Sequence, residues 1–74
     1  MSTTNKLSEA VKRIRKQHGL SQGELADIAG ISLPSLSRLE RGKETIRLDL
    51  LTKVAESLGY RLELVPIKQK SLGA

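Results

Sequence analysis

The chain has 74 residues, a net charge of +5 and no cysteine. A chain of this length forms one small domain with a modest core, and without cysteine it holds neither a disulfide nor a thiolate metal site. Its polar opening, MSTTNK, lacks the apolar run of a signal peptide, and no segment is apolar enough to span a membrane, which indicates a cytoplasmic protein. The positive charge favours a polyanionic partner.

The first predicted helix covers about residues 5–18, after an N-terminal segment, residues 1–4, that we expect to be flexible. Gly19 is well placed to end this helix with left-handed backbone angles. Lys12 and the other basic residues of the segment fall outside its apolar stripe. That stripe recurs at helical spacing and consists of Leu7, Ala10, Val11 and Ile14.

The second predicted helix begins after Ser21. Ser21 and Glu24 form an S-x-x-E capping box, in which each side chain satisfies a backbone amide at the start of the helix. Gly30 ends the helix and allows a sharp turn. The inward-facing residues are predicted to be Leu25, Ala26, Ile28 and Ala29.

A third helix follows almost at once. Pro34 disfavours helical backbone angles at the residue before it, so either Ser32 or Leu33 caps this helix. Its inward face and its end are marked by Leu36, Leu39 and Gly42.

A fourth helix is predicted over about residues 48–58, with Gly59 after it. Asp49 suits its first turn, where a negative charge complements the helix dipole. Its apolar residues recur at three- and four-residue spacing and are Leu51, Val54, Ala55 and Leu58.

The segment YRLELVP changes the period of the pattern. Tyr60, Leu62 and Leu64 alternate with charged residues, which is typical of a half-buried strand that ends at Pro66. The chain has no second strand to satisfy its backbone groups, so we expect residues 60–66 to pair with the same strand of a second copy. The alternative is an extended tail packed on the helices. Residues 67–74 are expected to be flexible.

The outer face of the third helix carries the functional signal. With Leu36 and Leu39 inward and about 100° of rotation per residue, the opposite face holds no acidic residue. A short helix with such a face suits the major groove of DNA. There an arginine can bind guanine, a serine hydroxyl can reach bases, and a leucine can contact a thymine methyl group. The residues predicted for these contacts are Leu33, Pro34, Ser37, Arg38 and Arg41.

For an isolated helix, Arg38 and Arg41 would more simply be solvated surface charges. The preceding helix changes this interpretation, because two short helices joined by a glycine turn make the second one protrude. The N-terminus of the first of them, at Gln22 and Gly23, can also donate amides to a phosphate.

Other chemistry is not indicated by the sequence. His18 is the single histidine, so we expect no metal site and no cofactor. The serines of residues 32–37 have no base and orienting acid beside them, and capping explains them better than catalysis. We therefore expect a protein that is not an enzyme.

The stretch LSQGELADIAGISLPSLSRLERGK resembles the Cro/repressor (XRE) helix-turn-helix family. The resemblance covers residues 7–59, and the helix-turn-helix unit lies at 21–42 within a domain at 5–59. It implies an all-α, lambda-repressor-like bundle of four helices. The residues that carry it, at the family spacing, are Gln22, Glu24, Leu25, Ala26, Gly30, Leu36, Glu40 and Gly42.

The resemblance also implies roles for individual residues. Arg15 and Glu40 would form an ion pair between the first and third helices. Base-facing positions would be occupied by Ser32, Leu33, Pro34 and Arg38. The positions near the DNA backbone, with the phosphate-binding ones, would be Gln22, Ser35, Arg41 and Lys43.

Two features depart from typical repressors. Leu33 and Pro34 stand where amide-bearing side chains are common, which makes adenine recognition there doubtful. The chain also ends in the alternating YRLELVP segment, in place of a fifth helix, and in this it resembles the HipB-type antitoxins, whose dimers share a small sheet. Tyr60, Leu62 and Leu64 are accordingly predicted to form the dimer contact.

The predicted function is sequence-specific binding of double-stranded DNA by a homodimer, which represses transcription from a palindromic operator. One alternative is a HipB-like antitoxin that neutralises a toxin by protein contact and represses its own operon. Another is an adaptor that binds only protein, which the basic outer face of the third helix makes less favourable.

Overall fold

The computed structural model describes residues 3–42 and 45–67, with side chains described from residue 5 onward. Within these residues the chain forms four α-helices and no strand. Their bounds are α1 Thr3–Gln17, α2 Gln22–Ala29, α3 Leu33–Glu40 and α4 Leu48–Ser57. The predicted all-α bundle of four helices is confirmed.

Helix α1 begins earlier than predicted. Thr3 and Thr4 are helical, whereas the flexibility of residues 1–4 stays a prediction. The physical reason is that residues 3–7 contain neither glycine nor proline, so nothing in the sequence stops the helix at Asn5. Met1 and Ser2 lie outside the described residues.

The start of α2 has the predicted capping box. The Glu24 amide donates to Ser21 Oγ at 3.0 Å, and the Ser21 amide donates to Glu24 Oε1 at 2.8 Å. At the other end Gly30 has a φ of 73°, a left-handed conformation that glycine adopts without strain. The amide after it, of Ile31, donates to the carbonyl of Ala26 at 3.0 Å and closes the turn.

Helix α3 is capped by Ser32, which settles the choice between Ser32 and Leu33. Ser32 Oγ accepts from the Ser35 amide at 3.2 Å, and Pro34 lies in the first turn, where a missing amide hydrogen costs nothing. Leu36 and Leu39 are buried as predicted.

The core is aliphatic and lies where α2 packs against α3 and α4, and α1 against α3. The prediction that Ile28 faces inward is wrong, because its side chain is 58% exposed. Leu25, Ala26 and Ala29 define the inward stripe of α2, and Ile28 lies about 100° around the helix from Ala29, on the side away from Ala26. The buried apolar residues of the whole core are Val11, Leu25, Ala26, Leu36, Leu39, Leu51, Val54, Ala55 and Leu58.

The buried face of α1 is partly polar. Ser8, Val11 and Arg15, at spacings of three and four, are buried, while the predicted stripe residues Leu7, Ala10 and Ile14 are half-buried. Ser8 Oγ donates to the Leu39 carbonyl at 2.6 Å, near the end of α3. This polar contact ties the first half of α1 to the C-terminus of α3.

Gly42 follows α3 at the point where α1 comes closest. Its φ is 73°, and a Cβ atom there would lie 2.5 Å from Asn5 Oδ1. Any other residue at this position would therefore meet an unfavourable backbone conformation, and the Asn5 side chain would have to shift.

Residues 60–67 continue beyond α4 without regular secondary structure. Tyr60 and Leu62 line an apolar groove of about 180 Å³ between α1 and α4, together with Leu7 and Ile14. Leu64 is fully exposed, and Val65 and Ile67 are also exposed. Pairing of this segment with a second copy stays a prediction, and residues 68–74 lie outside the described part of the chain.

The ion pair between Arg15 and Glu40 joins three helices at one buried point. Arg15 Nε donates to Glu40 Oε2 at 2.7 Å and Arg15 Nη2 donates to Glu40 Oε1 at 3.0 Å. Gln22 Nε2 donates to the same Oε1 at 3.0 Å, and Arg15 Nη1 donates to the Leu20 carbonyl at 2.8 Å. The Glu40 side chain is only 2% exposed, so its charge is balanced inside the protein and not by water.

The pKa of Glu40 reflects two opposed influences. Burial is the largest single influence and by itself raises the pKa. The hydrogen bonds from Arg15 and Gln22, with the positive charges of Arg15 and Lys12, outweigh it and lower the pKa below its ordinary value. The pKa of Arg15 is raised, chiefly by its hydrogen bond to Glu40.

This lowered pKa predicts a pH-dependent stability. A carboxyl whose pKa is lower in the folded state stabilises the fold above its unfolded pKa of about 4.3, and the contribution is lost as the pH falls through the folded pKa. The free energy of unfolding of the wild type is therefore expected to fall as the pH drops below about 5 more steeply than that of Glu40→Gln, measured with urea at each pH. Near pH 7 the variant loses about 3 to 5 kcal/mol.

The control is Glu56→Gln, which changes an exposed carboxyl on α4 that makes no ion pair within the described residues. It is expected to follow the wild-type pH profile. Parallel profiles of the wild type and Glu40→Gln would contradict the assignment.

None of the helices within the described residues is both long and apolar enough to cross a lipid bilayer.

Candidate nucleic-acid interface

The outer face of α3 is exposed along its whole length. Leu33, Pro34, Arg38 and Arg41 are exposed, and the Leu33 side chain has 47% of its surface accessible. Leu36, on the opposite side of the same helix, is fully buried. The leucines behind the helix therefore hold it in the core, and these four exposed residues remain open to a partner.

Arg38 and Arg41 have no partner among the residues that the structure describes. Neither guanidinium makes a hydrogen bond or an ion pair there, whereas Arg47 and Arg61 pair with nearby carboxylates at 2.7 and 2.8 Å. A guanidinium offers five donors in a rigid fork, suited to a phosphate or to the edge of guanine. These donors are available on α3.

The serines at the start of α3 are already engaged with each other. Ser32 Oγ donates to Ser35 Oγ at 2.8 Å while it accepts from the Ser35 amide. The hydroxyl of Ser32 is thus used for capping, and the hydroxyl hydrogen of Ser35 remains for an external acceptor.

The two flanks of α3 differ. Ser35 and Arg38 border a groove of about 250 Å³ that Thr45 and Arg47 line from the segment before α4. Ser37 and Arg41 border a cleft of about 300 Å³ on the other side, shared with α1 and α2. Ser37 is half-buried there, so it lies at the edge of the outer face and not at its centre.

The N-terminus of α2 opens on the same cleft through Gln22. Its side-chain amide donates one hydrogen to Glu40, which fixes the side chain and leaves the second hydrogen for another acceptor. The Gly23 amide, in the first turn of α2, donates to no described residue, and a Cβ atom there would meet only Ser21 Oγ, at 3.9 Å. Its backbone amide is therefore accessible, and the fold itself does not require glycine at this position.

Lys12 also lines this cleft, although its position in the sequence predicts no role for it. The signal was present in the spacing, because Lys12 lies four residues after Ser8 and three before Arg15, both on the buried face of α1. This spacing does not by itself predict a role for Lys12, because the sequence does not reveal that the buried face of α1 is partly polar.

Two further points concern the limits of the described residues. Lys43, predicted to bind phosphate, lies outside the described residues. Among residues 3–42 and 45–67, no group of three or more histidine, cysteine, aspartate or glutamate side chains could hold a metal ion.

Known proteins are similar to this chain in sequence and in fold. Residues 11–65 match the helix-turn-helix family. An uncharacterised HTH-type transcriptional regulator of Haemophilus influenzae is 35% identical over 57 residues, which are 77% of this chain and 58% of that protein. The chain thus spans a little over half of the length of that relative.

Two solved structures are similar throughout most of the chain. One of them is a chain of the HipA–HipB–O2–O3 complex. It matches with a TM-score of 0.81 and 29% identity, and the match covers 92% of this chain and 96% of the other. A toxin–antitoxin module from Streptococcus pneumoniae matches with a TM-score of 0.75 and 34% identity, covering 88% of this chain and 71% of the other. The match over residues 11–65 and these similarities show that the chain belongs to the XRE-type helix-turn-helix family, as its sequence predicts.

Proposed function

We propose that the chain is a DNA-binding regulator of transcription that inserts α3 into the major groove. The observation that carries this proposal is the outer face of α3, with two arginines in front that have no partner among the described residues and buried leucines behind. The major groove admits an α-helix and presents a distinct pattern of donors and acceptors for each base pair. The regulator names of the relatives support the same function.

The contact residues divide into two groups by position. Ser32, Leu33, Pro34, Ser37 and Arg38 are proposed to face the bases, with Arg38 forking onto guanine and Leu33 against a thymine methyl group. The remaining group is proposed to bind phosphates, which give most of the affinity but no sequence information. It consists of Gln22, Gly23, Ser35, Arg41 and Lys43.

We propose further that the regulator acts as a homodimer that represses by occupying a palindromic operator. The exposed apolar side chains of Leu64, Val65 and Ile67 support dimerisation through residues 60–66, because a second copy would remove them from water. In a twofold dimer the two reading helices would lie about 34 Å apart, one turn of B-DNA.

A second candidate is an antitoxin that also represses its own operon. The similarity to the HipA–HipB complex and to a toxin–antitoxin module favours it. Co-purification of the chain with the product of the adjacent gene, followed by a mass measurement of the complex, tests this candidate. If the product of the adjacent gene does not bind the chain, the antitoxin candidate is excluded and DNA-binding regulation is the remaining function.

The role of Arg38 predicts a loss of specificity in Arg38→Ala. On the duplex that the wild type selects from a random library, the loss of affinity is expected to be about 1 to 3 kcal/mol, with little change on unrelated DNA. Arg13→Ala, which removes an exposed charge from α1, is the control and is expected to reduce both affinities slightly and equally. Equal losses on both duplexes for Arg38→Ala would refute the base contact.

The accessible amide of Gly23 predicts opposite changes in stability and binding for Gly23→Ala. Alanine is the better helix former, so the free energy of unfolding is expected to rise by up to about 1 kcal/mol. The added Cβ atom would hold a phosphate away from the amide, and binding to duplex DNA is expected to weaken by about 1.5 to 3 kcal/mol. Urea unfolding and fluorescence anisotropy measure the two quantities, and unchanged affinity would exclude the phosphate contact.

A further inference from the structure

A polar cleft runs between α1, the start of α2 and the end of α3. It has a volume of about 300 Å³, and each of the three helices contributes side chains to it. The charged and hydrogen-bonding groups that matter for its chemistry are Glu9, Lys12, Gln22, Ser37, Glu40 and Arg41.

The carboxylate of Glu40 in this cleft is already neutralised. Oε2 accepts from Arg15, and Oε1 accepts from both Arg15 and Gln22. The Glu40 side chain is 2% exposed, so an anion that enters the cleft does not meet an unpaired buried carboxylate. The remaining acid is Glu9, which is exposed on α1.

The two cations of the cleft have no partner in the part of the chain that the structure describes. Neither Lys12 nor Arg41 makes a hydrogen bond or an ion pair to any residue that the structure describes. Lys12 is nevertheless close enough to Glu40 for its charge to lower the pKa of that carboxyl. Lys12 and Arg41 therefore line the same cleft, together with Gln22.

We infer that Lys12 binds a phosphate of the DNA backbone in this cleft, so that α1 forms part of the nucleic-acid interface. This inference rests on the proposed function. A phosphodiester oxygen would accept from the Lys12 ammonium and the Arg41 guanidinium, while the second amide hydrogen of Gln22 and the Ser37 hydroxyl lie on the same walls. The contact is to the backbone, so it adds affinity without sequence preference.

The experiment compares Lys12→Gln with Lys53→Gln. Each variant removes one positive charge from an exposed lysine, but Lys53 lies on α4, which contributes no residue to the cleft. The affinity for an arbitrary labelled duplex of about two helical turns is measured from about 50 to 200 mM salt. Lys12→Gln is expected to weaken binding severalfold more than Lys53→Gln and to reduce the salt slope by about one for each bound protomer.

The outcomes separate this inference from the proposed function. A wild type that binds the duplex, with equal affinities and slopes for the two variants, would overturn the role of Lys12 alone. A wild type that binds no duplex would overturn both.

A second measurement uses only the wild type and so does not depend on folding of a variant. DNA is expected to protect the Lys12 amine from acetylation, detected by mass spectrometry, and to leave Lys53 reactive. Equal acetylation of Lys12 with and without DNA would overturn the inference.

Discussion

The buried pair of Arg15 and Glu40 is the constraint on which the geometry of this small protein depends. Glu40 is the last residue of α3, Arg15 belongs to α1, and Gln22, which binds the same carboxylate, begins α2. A further hydrogen bond from Arg15 to the Leu20 carbonyl holds the turn between α1 and α2. An unpaired charge in this position would be costly, so the three helices are held in one arrangement.

That arrangement determines which polar groups are left for a partner. Helix α3 has only eight residues and would be marginal as an isolated helix. Its leucines and the Glu40 carboxylate fix it from behind, while Ser32 satisfies its first turn. Within the described residues, the side chains of Arg38 and Arg41 and the amide of Gly23 make no hydrogen bond, so they are left for a partner.

Much of this fold was predictable because local signals agreed with the tertiary structure. The capping box of Ser21 and Glu24 and the glycines after the helices set the ends of α2 and α3. The wrong placement of Ile28 has a different origin: in a helix of eight residues the edge of the inward stripe depends on the neighbours, which spacing does not reveal.

The candidate site was predictable only in part. The outer face of α3 follows from the position of two leucines, because a helix that buries one side must expose the other. The cleft could not be predicted, since it depends on Ser8 being buried against the end of α3. Serine is common on protein surfaces and Lys12 is itself exposed, so neither residue was assigned a role.

The most direct test of the account maps the DNA-binding surface residue by residue. The ¹⁵N-labelled protein is titrated with duplex DNA, and the amide resonances are followed by NMR. The largest changes are expected at Gly23, at Arg38 and Arg41 on α3 and around Lys12, with small changes on α4. Changes confined to α4, while the α3 resonances stay in place, would contradict the claim that the outer face of α3 binds DNA.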